Sequence, residues 1–178
     1  MRRLSLGISL VILCTILLGA DPPPFSPYEN EKFGYRLDIP SGFVMKGEWG
    51  MQTSWVYVPG EKEKFEGVIF PIISVVTYEI PKRFSAVTLY NTKMKKIQDM
   101  IAEKDSGYED LETLTVEGGH ALIYKEADTG DDQALNHWYV KVYGNGREYT
   151  LEVSGTRRQL RERRSDFKHV VDSFQLIP

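Results

Sequence analysis

Along much of the chain apolar and polar residues alternate, and in two stretches the period lengthens from two to between three and four. Tyr35, Leu37 and Ile39 alternate with Arg36 and Asp38 and stop at Pro40, which predicts a half-buried strand over residues 33–40. Residues 53–58 place Trp55 and Tyr57 on one face and Val56 and Val58 on the other, ahead of Pro59 and Gly60. A charged loop, 61–66, leads into residues 68–78, the most apolar and β-branched stretch beyond the N-terminus. That composition predicts a central strand. Pro71 lacks a ladder donor and marks a bulge or an edge within it. Strands return over 111–116 and 121–125 around Gly118-Gly119, and over 135–143 and 147–154 around Gly144-Asn145-Gly146. Asn-Gly supplies the two positive φ angles of a type I′ hairpin turn.

The longer period appears first over residues 85–104. Val87, Tyr90, Met94, Ile97 and Ile101 form one apolar stripe, with Lys93, Lys95, Lys96, Asp99 and Glu103 off it. Ser85 is the expected N-cap and Gly107 the expected stop. A second helix is predicted over 156–172, its inward positions Leu160, Phe167, Val170 and Val171 continued by Phe174. Strands joined mostly by hairpins and flanked by two helices point to an α+β domain around a mainly antiparallel sheet.

The N-terminus follows a different rule. Arg2 and Arg3 precede an apolar run from Leu4 to Leu18, and Gly19 and Ala20 end it with small residues. This is the pattern of a secretory signal peptide, residues 1–20, cleaved after Ala20. The run is shorter than the roughly 20 residues that span a bilayer as a helix, which makes a retained anchor the lesser alternative. Cys14 lies inside the run behind Leu13, which does not suit lipidation. Residues 21–32, opening Asp21-Pro22-Pro23-Pro24, are expected to form a semi-extended arm before a domain at 33–178. The expected destination is the periplasm or the exterior, with no transmembrane span after cleavage.

The chain has 178 residues, 42% hydrophobic and 26% charged, a balance that excludes wholesale disorder and a multi-span membrane protein. Cys14 is the only cysteine, so a mature chain starting at Asp21 has no thiol for disulfides, nucleophilic catalysis or metal ligation. Removing Arg2 and Arg3 takes the 22 basic residues to 20 against 25 acidic ones, a net charge of −5. Nucleic acid is excluded as an expected partner on that ground.

The opening Phe-Gly-Tyr-x-Leu-x-Ile-Pro-Ser-Gly-Phe, the Tyr-x-Leu-x-Val-Ser-Gly after two hairpins, and the closing Val170-Val171-Asp172-Ser173-Phe174 resemble the PsbP-like family. That family holds the extrinsic protein of the photosynthetic oxygen-evolving complex and DcrB-type bacterial exported proteins. The resemblance covers about 33–178. It implies a three-layer αβα sandwich, and a protein that acts by binding rather than by catalysis, with no cofactor. The partner it leaves open is a protein or an anionic envelope component. The matched residues are aromatic, glycine and aliphatic, so they carry over no functional set.

Candidate chemistry is sparse. His120, His137 and His169, and the acidic loop Asp128, Asp131 and Asp132, lack the spacings of a metal site. No metal or catalytic residues are expected from them. Ser154-Gly155-Thr156 lacks the glycine frame of a nucleophile elbow and reads as a helix cap. An exported hydrolase whose residues meet only in the folded chain is the competing class. Trp49, Trp55 and Trp138 are expected in the core, with a ligand groove as the alternative. The candidate anion or partner site is Arg157, Arg161, Arg164 and Lys168, which share one flank of the last helix. Cations in a first turn oppose the macrodipole. An anionic partner is the function that this breach suggests.

Overall fold

A computed structural model describes residues 24–58, 71–103, 107–126 and 130–178. The N-terminal segment 1–20, the loop 61–66 and Asp128 lie outside the described residues. The chain runs β1 (Phe25–Asn30), β2 (Tyr35–Pro40), β3 (Phe43–Trp49), β4 (Gln52–Tyr57), β5 (Ile72–Glu79) and α1 (Ala86–Ala102). It continues through β6 (Tyr108–Val116), β7 (Gly119–Glu126), β8 (Leu135–Gly144), β9 (Arg147–Thr156), α2 (Arg157–Glu162), α3 (Arg164–Asp172) and β10 (Gln175–Leu176). Seven strands form one antiparallel sheet in the order β3-β4-β5-β9-β8-β7-β6, and a three-stranded sheet has the order β1-β2-β10.

The alternation in β7 decides the layering. Ala121 and Ile123 pack with α2, α3 and the small sheet, whereas Leu122 and Tyr124 pack under α1. Helices therefore cover both faces of the large sheet, the three-layer α+β arrangement expected. The larger core joins Val140, Val142, Leu151 and Val153 to Leu160, Phe167 and Val170. Tyr35, Tyr149 and Phe174 close it: Phe174 stacks on Tyr35 with ring centroids 5.6 Å apart and meets Tyr149 edge-on at 5.8 Å. The Tyr149 hydroxyl donates to the Phe33 carbonyl at 2.8 Å, tying the large sheet to the entry of β2.

Several boundaries differ from expectation, each for a local reason. Residues 25–30 are a strand rather than an arm: β1 pairs only with β2, so Pro27 stands on an edge where its missing N–H costs no ladder bond. β5 begins directly after Pro71, whose carbonyl accepts from the Tyr57 N–H at 2.9 Å, and residues 68–70 of the predicted strand lie outside the described residues. β3 went unpredicted because an edge strand shows little inward alternation; it is mostly exposed and shifts register between Met45 and Gly47. In α1, Ser85 caps through its hydroxyl as expected, but Val87 is 50% exposed and Glu103, not Gly107, is the C-cap. The last helix is two helices, broken at Arg163 (φ −108°, ψ 22°), whose guanidinium lies 3.8 Å from the Tyr57 ring. The hairpin at 144–147 is as predicted, with Asn145 at φ 49° and Gly146 at φ 70°.

Candidate functional site

α2 starts where β9 ends, and its first turn is bonded within the fold. Thr156 accepts from the Gln159 N–H at 3.2 Å while the Gln159 side chain accepts from the Thr156 N–H at 2.8 Å, a reciprocal capping box. The Arg157 N–H donates to the Ala134 carbonyl at 3.1 Å and the Arg158 N–H to the Asp132 carbonyl at 3.2 Å. These amides at the start of α2 are therefore already used within the fold and are not left for an outside anion. The Ser154-Gly155-Thr156 segment is a cap, as its composition suggests.

Arg157, Arg161, Arg164 and Lys168 survive the break at Arg163 as one wall, and all four line a single cavity of about 500 Å³. The cavity is a groove between α2–α3 and the strands β6, β7 and β8. Its floor is apolar: Ile123, Trp138, Val140 and Val153 rise from the sheet, and Leu160 and Val171 descend from the helices. The opposite wall carries Glu109, Asp110, Glu112 and Lys125. There β6 bulges between Glu109 and Glu112, and Asp110 takes a positive φ of 55°. Lys125 Nζ pairs with Asp110 at 2.7 Å and with Glu109 at 3.2 Å. The hydrogen bond that the Lys125 ammonium donates to Asp110 is the main cause that holds it above its ordinary pKa.

The cationic wall is partly neutralised from within. Asp132, from the acidic loop between β7 and β8, accepts from Arg161 through both oxygens at 3.0 and 3.2 Å. Arg157 approaches the same carboxylate at 3.7 Å. The Arg161 hydrogen bond holds the Asp132 carboxyl below the usual carboxylate range. Lys168 pairs with Asp172 at 2.5 Å, and both are well exposed. Arg164 is exposed and makes no ion pair among the described residues.

The remaining candidates scatter. His120 lies against Tyr90, His137 against Glu152 at 2.7 Å, and His169 against Asp38 at 2.9 Å with the Phe25 ring stacked on it. Ser154 stands opposite His137 in the β8–β9 register, yet no hydroxyl among the described residues is hydrogen-bonded to either imidazole nitrogen of His137. The tryptophans separate three ways, against the expectation of a common core. Trp55 is 3% exposed, Trp49 is 56% exposed on the β3 edge, and Trp138 is half-buried in the groove. Sequence reasoning missed the groove floor and the acidic wall. The alternation of Ile123 and Lys125 marks them as one face of β7, but nothing in the sequence says that this end of the face stays uncovered.

The cyanobacterial PsbP protein of Synechocystis superposes with a TM-score of 0.51 at 17% identity, over 90% of this chain and 99% of that one. The chain has the PsbP-like fold. The same PsbP-like fold is seen in the Ran-binding protein Mog1p of Saccharomyces cerevisiae (TM-score 0.51, 12% identity, 86% of this chain and 95% of that one). It is seen again in LpqN, involved in cell envelope biogenesis of Mycobacterium tuberculosis (TM-score 0.53, 12% identity, 86% of this chain and 91% of that one). No protein-family model matches the sequence, and no curated protein matches it.

Proposed function

We propose that this chain is an exported, non-catalytic binding protein that takes an anionic partner, a protein or an envelope component, in the groove between α2–α3 and β6–β8. The observation that carries this is the convergence of Arg157, Arg161, Arg164 and Lys168 on one apolar-floored cavity. Clefts of this kind, apolar with a few convergent polar groups, are where proteins bind. Mog1p, whose name is that of a Ran-binding protein, and LpqN, named for cell envelope biogenesis, support binding over catalysis on this scaffold. Export rests on the sequence pattern of residues 1–20. Among the described residues no helix is long and apolar enough to cross a membrane.

The test is co-purification from the native envelope fraction with the tagged chain and with the triple variant Arg157→Gln, Arg161→Gln, Arg164→Gln. Loss of the partner from a correctly folded variant supports the proposal; an unchanged partner demotes the wall to solvated surface. Binding also weakens with salt, because exposed charges are screened over about 8 Å at physiological ionic strength. Mass spectrometry of the exported chain should begin at Asp21, and accumulation of the intact chain in the membrane would favour the anchor. A hydrolase built on Glu152, His137 and Ser154 is the competing function, and esterase turnover abolished by Ser154→Ala would establish it.

A further inference from the structure

The groove's depth and its charge asymmetry name a ligand class, and this step rests on the anionic-partner proposal above. Val140, Val153 and Leu160 line the cavity although each is at most 3% exposed. The reachable floor is therefore the half-buried Ile123 and Trp138 together with the 39% exposed Leu114, an apolar strip that suits a single chain better than the flat surface of another protein. A volume of about 500 Å³ lies within the range of small-molecule sites. The charges stand at the rim, and they stand unequally. Among the described residues, Arg157, Arg161, Arg164 and Lys168 on the helix wall meet two paired carboxylates, Asp132 and Asp172, an excess of two positive charges there. On the strand wall Lys125 is already held between Glu109 and Asp110, and Glu112 adds another negative charge. An anion is thus attracted to one wall only and repelled from the other.

We infer that the groove holds a single-chain anionic lipid, its acyl chain along the recess and its headgroup at Arg161, Arg164 and Lys168. The chain displaces water from the half-buried Ile123 and Trp138, which lie over the buried valines, and this gives affinity in proportion to chain length. Arg164 supplies a planar donor fork that suits a phosphate or carboxylate. Orientation follows from charge: the head cannot settle on the strand wall without facing Glu109, Asp110 and Glu112.

Trp138 lines the recess, so it reports occupancy directly. The mature chain is titrated with dibrominated stearate, whose bromines quench a neighbouring indole, and by calorimetry with dodecyl phosphate below its micelle concentration. The expected results are saturable quenching at one ligand per chain, lost in Trp138→Phe while calorimetric binding persists. Decyl phosphate should bind more weakly by about fourfold for each methylene removed. Dodecanol, and the double variant Arg164→Gln, Lys168→Gln, should each lose about tenfold. Inorganic phosphate at millimolar concentration should not displace the ligand.

No saturable quenching, equal affinity for dodecanol, affinity independent of chain length, or displacement by inorganic phosphate would each overturn the inference. Leu114→Glu gives a second check, because Leu114 lines the groove yet is 39% exposed, so the fold tolerates the change while the chain site gains a charge. Lipid binding unaffected by Leu114→Glu would likewise count against it. If dodecyl phosphate fails to bind while the triple glutamine variant still loses a native protein partner, the lipid assignment falls and the anionic-partner proposal stands. If neither changes, both fall.

Discussion

The two faces of the seven-stranded sheet are covered by unequal means. On one face α1 lays a single helix over β6, β7 and β8, and Ile97 is its only fully buried residue. On the other, two short helices, a three-stranded sheet and the closing Phe174 enclose the larger core. Cover by one amphipathic helix buries a stripe; cover by several short elements buries a continuous layer but leaves a seam where they run out. The groove is that seam, where α2 and α3 end their reach over β7 and β6. The better-packed face thus also carries the groove. Burial and accessibility coexist because the elements that supply the core do not span the width of the sheet.

This contrast can be broken most directly by truncating one anchor on each face. Phe174, 2% exposed, stacked on Tyr35 and edge-on to Tyr149, should cost about 3–5 kcal/mol when changed to alanine. Ile97→Ala under α1 should cost less, about 2 kcal/mol, because its neighbours Met94 and Ile101 are only half-buried and can close over the gap. Urea denaturation of both variants gives the comparison. Equal losses would mean that α1 anchors its face as firmly as the composite layer does.

Helix caps provide a finer version of the same contrast. Thr156 belongs to a buried reciprocal capping box, whereas Ser85 caps α1 in an exposed position. Thr156→Ala should cost about 1–2 kcal/mol and Ser85→Ala about 0.5 kcal/mol. A reversed order in chemical denaturation would show that α1 depends more on its own cap than on the sheet beneath it.

The smallest effect concerns pH and sharpens the groove itself. Asp132 is held below the usual carboxylate range in the folded chain, chiefly by Arg161. A depressed folded pKa gives a stabilising contribution that is present above the unfolded value of about 4 and is lost as pH falls through the lower, folded value. The Asp132 carboxyl should therefore remain ionised past the pH at which ordinary aspartates protonate, read by NMR titration of its side-chain carbon. Asp132→Asn should remove that titration and tighten dodecyl phosphate binding, since it deletes an anion that competes for Arg157 and Arg161. An ordinary aspartate titration in the unaltered chain would mean that the Arg161 pair does not persist in solution.

Strands and turns were legible wherever local chemistry sufficed. The Asn145-Gly146 turn, the β6–β7 hairpin (its turn one residue earlier than expected, at Glu117-Gly118, with Gly119 already in β7), the Ser85 cap and the inward stripe from Leu160 to Phe174 all follow from side-chain preferences within a few residues. Where pairing came from a distant partner, the pattern was weak. β10 joins the edge of β2 opposite β1 only after the chain has returned from the far end of the molecule; β1, though next to β2 in sequence, is obscured instead by Pro27 on the sheet edge. Neither Pro27 nor a two-residue strand announces itself locally.

The same divide runs through the site. One flank of Arg157, Arg161, Arg164 and Lys168 was determined by sequence alone, because helical periodicity puts those positions together whether or not the helix breaks at Arg163. What faces them was decided by tertiary structure. Asp132 reaches Arg161 across 29 positions of sequence. The acidic β6 bulge and the apolar recess meet the helix wall only when β6 and β7 are laid beyond its edge. A periodicity fixes neighbours along one element, but the width of a sheet relative to the helices covering it is a property of the assembled layers, and that width is what opens the groove.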